Sequence, residues 1–273
     1  MRPLTLLGPA PPPHPARIVS LVPSLTEWLA ALDLDAETVG LTRFCVHPAG
    51  WKARKTIVGG TKNVDVERTL ALGPDLVIAS REENVREPVE ALAHAGVPVA
   101  LTDVATVDGA LAALAELARL LGRPAEGARR VAEIRDAFDV LPRPAARPRV
   151  LYLIWRDPWM AVGGDTYIAD VLARGGFQNA TGDAARYPSL TDAELAALRP
   201  DAVLLSSEPY PFGGAHVAEA RALVPGARVE LVDGEAFSWY GPRMATAPAA
   251  LRALQARLGS TASPSPGRDR AGA

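Results

Sequence analysis

The residues of this chain that could do chemistry follow short apolar segments. Cys45 and His47 alternate along a predicted extended segment, which would place both side chains on one face. A thiolate and an imidazole can ligate a metal ion, and His47 could take an axial position on a chelated cobalt or iron. Glu82 and Glu83 follow another apolar run. The structural alternatives are a buried thiol, a turn histidine and a solvated acidic loop.

Aromatic residues lie near the predicted ends of several strands. The stretch from Trp155 to Trp159 combines two indoles with charged residues directly after a predicted strand, which favours ligand contact over a purely structural loop. Rigid aromatic rings can cover a large flat ligand at a low entropy cost. The aromatic residues that we predict as ligand contacts are Phe44, Trp155, Trp159, Tyr167, Tyr187, Tyr210, Phe212, Trp239 and Tyr240.

Polar candidates occur at a predicted helix start and in a glycine loop. Ser24 and Glu27 have capping-box spacing, and Ser24 and Thr26 could instead offer hydroxyl groups to a ligand. Lys62 and Asn63 follow a double glycine, where they could contact a carboxylate or amide or form an ordinary turn. The polar residues predicted to bind ligand are Ser24, Thr26, Lys62, Asn63, Glu82, Glu83 and Arg156.

The chain contains an internal repeat. Residues 71–80 (ALGPDLVIAS) and 197–206 (ALRPDAVLLS) are identical at six of ten positions, at an offset of 126. Each copy reads as a short helix, a proline stop and a buried strand, which is the αβ step of a parallel sheet. The same offset places Glu82 opposite Glu208. Two similar lobes should therefore present acidic residues after equivalent strands.

Composition limits the classes of partner. The formal charge of −2 and the pI near 6.1 argue against nucleic acid or an anionic membrane as the main partner. Every apolar run is shorter than a membrane span. The single cysteine, Cys45, excludes an internal disulfide. Pro11 to Pro13 interrupt the first apolar run, so the sequence favours a cytoplasmic protein, with an extracytoplasmic one as the alternative if the start is misassigned.

The order of predicted elements indicates an α/β fold, namely two Rossmann-like lobes with parallel sheets joined by a long connecting helix. Strands and helices alternate in both halves, and an Ala/Leu-rich helical stretch, interrupted at Gly122 to Pro124, separates them. The predicted divisions are an N-terminal extension (1–16), a first lobe (17–106), a helical connector (107–146), a second lobe (147–259) and a disordered tail (260–273).

Four motifs resemble the helical-backbone substrate-binding proteins of ABC importers, especially their cobalamin-binding branch. They are IVSLVPSLTE (18–27), LGPDLVI (72–78), GGDTY (163–167) leading to GGFQN (175–179), and FSWYGPR (237–243). The resemblance implies a monomer that holds a corrinoid or similar metal chelate between its lobes, with no catalytic cofactor. It also implies docking onto a permease through a surface glutamate on each lobe, for which the candidates are Glu82, Glu87 and Glu208.

Two other functions remain open from the residues. A chelatase-like tetrapyrrole enzyme would be favoured if Cys45, His47, Glu82 and Glu83 converged on one cleft. A receptor for a bare metal ion would need several His and carboxylate ligands, yet no paired-His spacing occurs. The sequence also lacks a nucleophile elbow, a Walker loop and a dinucleotide-binding pattern. We therefore expect a binding protein rather than an enzyme.

Overall fold

The computed structural model describes residues 2–142 and 147–259, in which two six-stranded sheets form two lobes. The strands are β1 (Leu4–Leu7), β2 (Ile18–Ser20), β3 (Thr38–Leu41), β4 (Thr56–Ile57), β5 (Leu76–Ser80), β6 (Val99–Thr102), β7 (Arg149–Trp155), β8 (Trp159–Ala161), β9 (Gln178–Asn179), β10 (Ser189–Leu190), β11 (Ala202–Ser206) and β12 (Arg228–Val232). The predicted disordered tail, 260–273, lies outside the described residues.

The first sheet has the strand order β1-β6-β5-β2-β3-β4 and is parallel except for β1. Its two central strands are apolar along nearly their whole length because helices cover both faces of a parallel sheet. The sequence predicts residues 1–16 as an extension outside the first lobe. The structure instead uses Leu4–Leu7 as an edge strand, antiparallel to β6, so that part of the N-terminal segment belongs to the first lobe.

The second sheet has the order β10-β8-β7-β11-β12, and β9 pairs with the start of β7, at Arg149 and Val150. Strands β7, β11 and β12 are parallel, as predicted. The repeat strands β5 and β11 are both fully buried and correspond at the offset seen in the sequence. Two short antiparallel strands, β8 and β10, were not predicted, because a turn after Trp155 reverses the chain within a few residues.

Helices cover both sheets. They are α1 (Pro23–Ala31), α2 (Trp51–Arg54), α3 (Val66–Ala71), α4 (Arg86–His94), α5 (Val107–Leu120), α6 (Pro124–Asp139), α7 (Tyr167–Arg174), α8 (Asp192–Ala197), α9 (Gly214–Leu223), α10 (Gly234–Ser238) and α11 (Ala247–Gly259), with a 3-10 helix at Pro242–Ala245. None of these helices has the length and apolar character needed to cross a membrane, within the residues described.

The connector consists of two helices, α5 and α6, rather than one long helix. Gly122 has a φ of +70°, and the Arg123 N–H donates to the Ala118 carbonyl, which closes the end of α5. Pro124 then starts α6. A Cβ on Gly127 would lie 2.2 Å from the Ala118 Cβ, so the two helices pack closely against each other. The predicted break at residues 122–124 thus turns the chain back on itself.

One hydrophobic cluster joins the two lobes and the connector. It includes Trp28 of α1, Leu114 of α5, Tyr152 of β7 and Phe237 of α10. Separate clusters fill the other face of each sheet. Because one continuous core links both lobes, large independent movement of the lobes would expose apolar surface at about 25 cal/mol per Å².

Candidate ligand cleft between the lobes

The candidate site lies between the lobes, at the carboxyl ends of the parallel strands. Glu82 and Glu83 follow β5, and Glu208 follows the repeat-related β11. Phe44 follows β3, while Trp155 ends β7. Open α/β sheets place ligands at this edge, and here the edges of two sheets supply residues to one region.

A buried hydrogen-bond group fixes part of the boundary between the lobes. The Tyr240 hydroxyl donates to Ser80 Oγ over 3.0 Å and lies 2.9 Å from Thr102 Oγ1. Ser80 and Thr102 end the neighbouring strands β5 and β6 of the first lobe, and all three side chains are buried. Burial raises the pKa of Tyr240, and the charge of Glu83 adds to that effect. Tyr240 is one of the predicted ligand contacts, and in this structure its hydroxyl group joins the lobes.

An ion-pair network also crosses between the lobes. Arg243 of the 3-10 helix donates to both carboxylate oxygens of Glu27 on α1, over 2.7 and 3.0 Å. Its guanidinium is also 2.9 Å from Glu235, and Glu235 is 3.5 Å from His47 Nε2. Trp239 packs between His47 and Arg243, with its ring centroid 5.9 Å from the imidazole. These residues hold the C-terminal segment against the first lobe.

The predicted capping box at Ser24 and Glu27 is absent, both because α1 starts one residue earlier and because Glu27 takes part in this ion-pair network. Pro23 itself starts α1, and the residue at the N-cap position is Val22, whose side chain makes no capping hydrogen bond. Ser24 therefore falls inside the first turn, and its buried hydroxyl has no hydrogen-bond partner among the described residues. Glu27 binds Arg243 instead, a residue more than 200 positions away that local spacing could not reveal.

Glu82 bridges the lobes at a more exposed position. Its carboxylate accepts from Arg186 of the second lobe, and its carbonyl accepts from Lys62 Nζ over 2.9 Å. Glu208, its repeat counterpart, accepts from Ser238 Oγ over 2.7 Å and is partly buried. Both of these predicted docking residues are thus engaged inside this structure, whereas Glu87 is exposed in the first turn of α4.

Glu83 has a different environment from its neighbour. It has no hydrogen-bond or ion-pair partner among the described residues, and it is partly buried. Burial and, to a smaller extent, the charge of Glu208 raise the pKa of Glu83, Lys62 opposes both effects, and the resulting pKa is about 7. Burial likewise raises the pKa of Glu208. The site therefore contains acidic groups from both lobes that resist ionisation together.

Asn84 organises the first-lobe side of the cleft, although the sequence analysis gave it no role. Its side-chain oxygen accepts from the Ser80 N–H over 2.8 Å. Its amide nitrogen donates to the carbonyls of Leu21, over 3.2 Å, and Thr61, over 3.0 Å. One buried side chain thus ties together the end of β2, the end of β5 and the loop that carries Lys62. The position of an asparagine directly after a buried strand was the available signal.

The glycine loop before α3 has a tight conformation. Gly59 has a φ of +103°, and a Cβ at this position would lie 2.4 Å from the Asn63 carbonyl oxygen. A Cβ on Gly60 would lie equally close to the Asn63 side-chain oxygen, and Asn63 is exposed. The predicted turn is thus present, and Lys62 extends from it to Glu82.

Cys45 and His47 face different surroundings because a turn, rather than an extended segment, precedes them. The Cys45 thiol is fully buried and accepts from Thr26 Oγ1 over 3.1 Å, with Thr42 Oγ1 at 3.2 Å. Burial raises the pKa of this thiol. His47 is partly exposed beside Glu235 and Trp239. Across residues 2–142 and 147–259, no three His, Cys, Asp or Glu side chains come together as a metal-binding group.

The predicted aromatic contacts divide by exposure. Phe44 is 54% exposed and Trp155 is 40% exposed, one on each lobe. Trp155 meets Tyr210 edge-on at 5.5 Å, and Arg156 covers the Trp159 ring while pairing with Glu219. Tyr187 is partly buried, and burial raises its pKa. The remaining predicted aromatic residues are buried in the lobe cores rather than available at a surface, namely Trp159, Tyr167 and Phe212.

The sequence pattern of one known family covers most of the two lobes. The family described as "Periplasmic binding protein" matches residues 18–223. The chain belongs to this family. Its members and the similar solved structures are substrate-binding proteins of ABC importers rather than enzymes, as the sequence analysis expected, and nothing supports the chelatase alternative.

Curated relatives and solved structures agree on this assignment. The chain is 25% identical to a vitamin B12-binding protein of Pectobacterium carotovorum over 237 residues, which cover 84% of each chain. It is 28% identical to a periplasmic haem-binding protein of Roseiflexus, with a TM-score of 0.75 over 89% of this chain and 97% of that one. A vitamin B12-binding protein of Vibrio cholerae, 19% identical, has the same fold, with a TM-score of 0.77 over 92% and 100% of the two chains.

Proposed function

We propose that this protein binds a corrinoid such as cobalamin between its lobes and delivers it to an ABC permease. The observation that carries the proposal is the pair of exposed aromatic side chains, Phe44 and Trp155, which extend from strand ends of opposite lobes. Large aromatic side chains that remain exposed at a cleft suit a flat, bulky ligand. The relatives named vitamin B12-binding proteins support the same ligand class.

Haem is the second candidate ligand. Two haem-binding structures are each 28% identical to this chain, which is close to the 25% and 27% identity of the vitamin B12-binding relatives. The two ligands differ in charge, because haem carries two carboxylates whereas the peripheral groups of a corrinoid are mainly neutral amides. The partly buried carboxyls of Glu83 and Glu208 favour amides, which can donate hydrogen bonds, over carboxylates, which would repel them.

We expect saturable binding of cyanocobalamin or cobinamide and weaker binding of haemin. Binding is measured by quenching of tryptophan fluorescence and by changes in the visible spectrum of the ligand. Trp155→Leu and Phe44→Leu should each weaken the binding of the preferred ligand about tenfold, since each removes an aromatic face. Val140→Ala, which trims an exposed apolar residue after α6, is the matched control and should bind normally. Failure of all three ligands to bind would overturn the proposal.

His47 provides a further assignment within the same titration. We infer that it is the residue placed to reach a chelated metal, because it is partly exposed while Cys45 is buried. Loss of the cobalt- or iron-ligand spectral shift in His47→Ala would assign the axial contact. An unchanged spectrum would leave His47 in its present role beside Glu235.

Delivery to a permease would take place outside the cytoplasmic membrane. The family description favours this location over the cytoplasmic one that the sequence favoured.

We propose that exposed glutamates at the start of the repeat-related helices α3 and α8 contribute to docking, since each helix directly precedes a repeat strand. These residues are Glu67 and Glu194, and both are exposed.

Combined Glu67→Gln and Glu194→Gln substitution should reduce ligand uptake at least tenfold in cells that carry the protein's own permease, because it removes one docking charge from each lobe. Ligand affinity should not change, and Gln at 194 retains the capping-box pattern of α8. The comparison variant in the same uptake measurement is Glu87→Gln. Loss of uptake in Glu87→Gln alone, with normal uptake in the double variant, would return the docking role to Glu87.

A further inference from the structure

A segment of the second lobe lies over the strand ends of the first. Residues 181–188 run beside residues 161–165 and are held there by backbone hydrogen bonds, including Gly163 N–H to the Arg186 carbonyl at 2.7 Å. The Arg186 N–H donates to Asp165 Oδ1 over 2.5 Å. Gly163 permits this close approach, because a Cβ there would lie 2.2 Å from the Ala184 carbonyl oxygen. The base of the segment is therefore firmly attached to its own lobe.

The far side of the segment makes an ion pair with the first lobe. Arg186 has a φ of +54° and directs its guanidinium to the Glu82 carboxylate. Lys62 holds the Glu82 backbone through its carbonyl, so the acceptor is fixed in place. Tyr187, the next residue, is close enough for the charge of Glu83 to raise its pKa. The segment thus covers the acidic edge of the cleft.

This contact differs in strength from the other contacts between the lobes. The side chains of Arg186 and Glu82 are 50% and 33% exposed, whereas those of Arg243 and Glu27 are 27% and 16% exposed. The Tyr240 hydrogen bonds are buried. An exposed ion pair adds little stability and weakens with salt, whereas buried, bidentate contacts persist. The contact at Arg186 can therefore break while those at Arg243 and Tyr240 remain.

We propose that residues 181–188 form a strap over the cleft and that the Arg186–Glu82 ion pair is its releasable latch. The inference rests on the proposed function, because it assumes that a ligand enters between the lobes. A bulky chelate cannot pass under a strap that contacts the opposite lobe. Breaking this exposed ion pair releases Arg186 from the first lobe, and Tyr187 beside it, which packs at the edge of the shared core, must move with the strap to open the entrance.

Distance measurements between spin labels test the latch without any ligand. Labels on cysteines introduced at Asn63 and Asp183, both exposed, report the separation of the first lobe from the strap. Cys45 is the only native cysteine and is buried, so it should not react. Glu82→Gln and Arg186→Gln should each increase the open fraction about two- to five-fold. Added salt should open the unmodified strap and have little effect on Glu82→Gln.

Glu116→Gln is the matched control, because it removes an exposed Glu–Arg pair that lies within α5. It should leave the distance distribution unchanged. Unchanged distances in both Glu82→Gln and Arg186→Gln would overturn the strap proposal, whether or not a ligand binds.

With cyanocobalamin and haemin as probes, Glu82→Gln should speed both association and release two- to five-fold. If neither probe binds but the distances shift, the strap stands and the proposed ligand class fails.

Discussion

Glu83→Gln is expected to stabilise the protein at pH 8 by about 3 kcal/mol, an unusually large gain for one cleft residue. Burial, together with the charge of Glu208, raises the pKa of Glu83 to about 7 in the folded protein, compared with the ordinary value of 4.5 that a solvated glutamate has on unfolding. Each unit of difference corresponds to about 1.4 kcal/mol. A neutral amide of the same shape avoids the cost of holding a buried charge beside Glu208.

The direction of the pH dependence follows from proton linkage. The folded state binds the Glu83 proton more tightly than the unfolded state, so its contribution to stability is complete below about pH 4.5. That contribution is lost as the pH rises through about 7. Urea unfolding between pH 4 and 8 should therefore show a decline in the unmodified protein and a smaller decline in Glu83→Gln. Equal pH dependence in the two proteins would contradict the assigned environment of Glu83.

Glu208→Gln separates the two causes of this shift. The charge of Glu208 is the second cause of the raised pKa of Glu83, after burial. Removing it should move the Glu83 titration midpoint to lower pH, as followed by carboxyl carbon NMR. Glu116→Gln is the control, because a hydrogen bond from Arg119 lowers the pKa of Glu116 and this exposed pair does not face the cleft.

Arg243→Met is expected to destabilise the protein by about 2 kcal/mol. The substitution retains most of the apolar stem but leaves Glu27 and Glu235 without their shared cation. A partly buried carboxylate that loses its partner keeps its desolvation cost, which makes removal of one member more harmful than removal of a whole pair. Thermal or urea unfolding at neutral pH measures the effect.

A double-mutant cycle identifies the source of the loss. Adding Glu27→Gln to Arg243→Met should recover about half of the lost stability, because no unpaired charge then remains on α1. Arg119→Met removes an exposed pair within one helix and should cost well under 1 kcal/mol. A strictly additive cycle would show that Arg243 stabilises the protein through packing on Trp239 rather than through Glu27.

Local patterns predicted most elements and much of their order. The repeat, the proline stops and the apolar runs predicted β5 and β11 at their observed positions, and the break at residues 122–124 occurs where the helix pattern was interrupted. Errors arose where a few residues reverse the chain. The turn after Trp155 creates β8, and the turn before Cys45 separates its side chain from that of His47.

The candidate site was only partly predictable because its main contacts join distant positions. Glu82 and Glu83 are adjacent and chemically identical, yet Glu82 pairs with Arg186, whereas Glu83 is partly buried and has no partner within residues 2–142 and 147–259. No local rule distinguishes them. Likewise, Glu27 has capping-box spacing but binds Arg243, because Pro23 had already started the helix.

By itself, the sequence determined the α/β class, the two repeat-related lobes and the binding-protein family, because periodicity, proline placement and motif order are local properties of the chain. The tertiary structure alone decided which polar groups meet. Tyr240 joins β5 and β6, Arg243 joins α1, and Arg186 reaches Glu82. These contacts depend on how two sheets and a shared core orient distant segments, and that orientation comes from packing of the whole molecule rather than from any single stretch of residues.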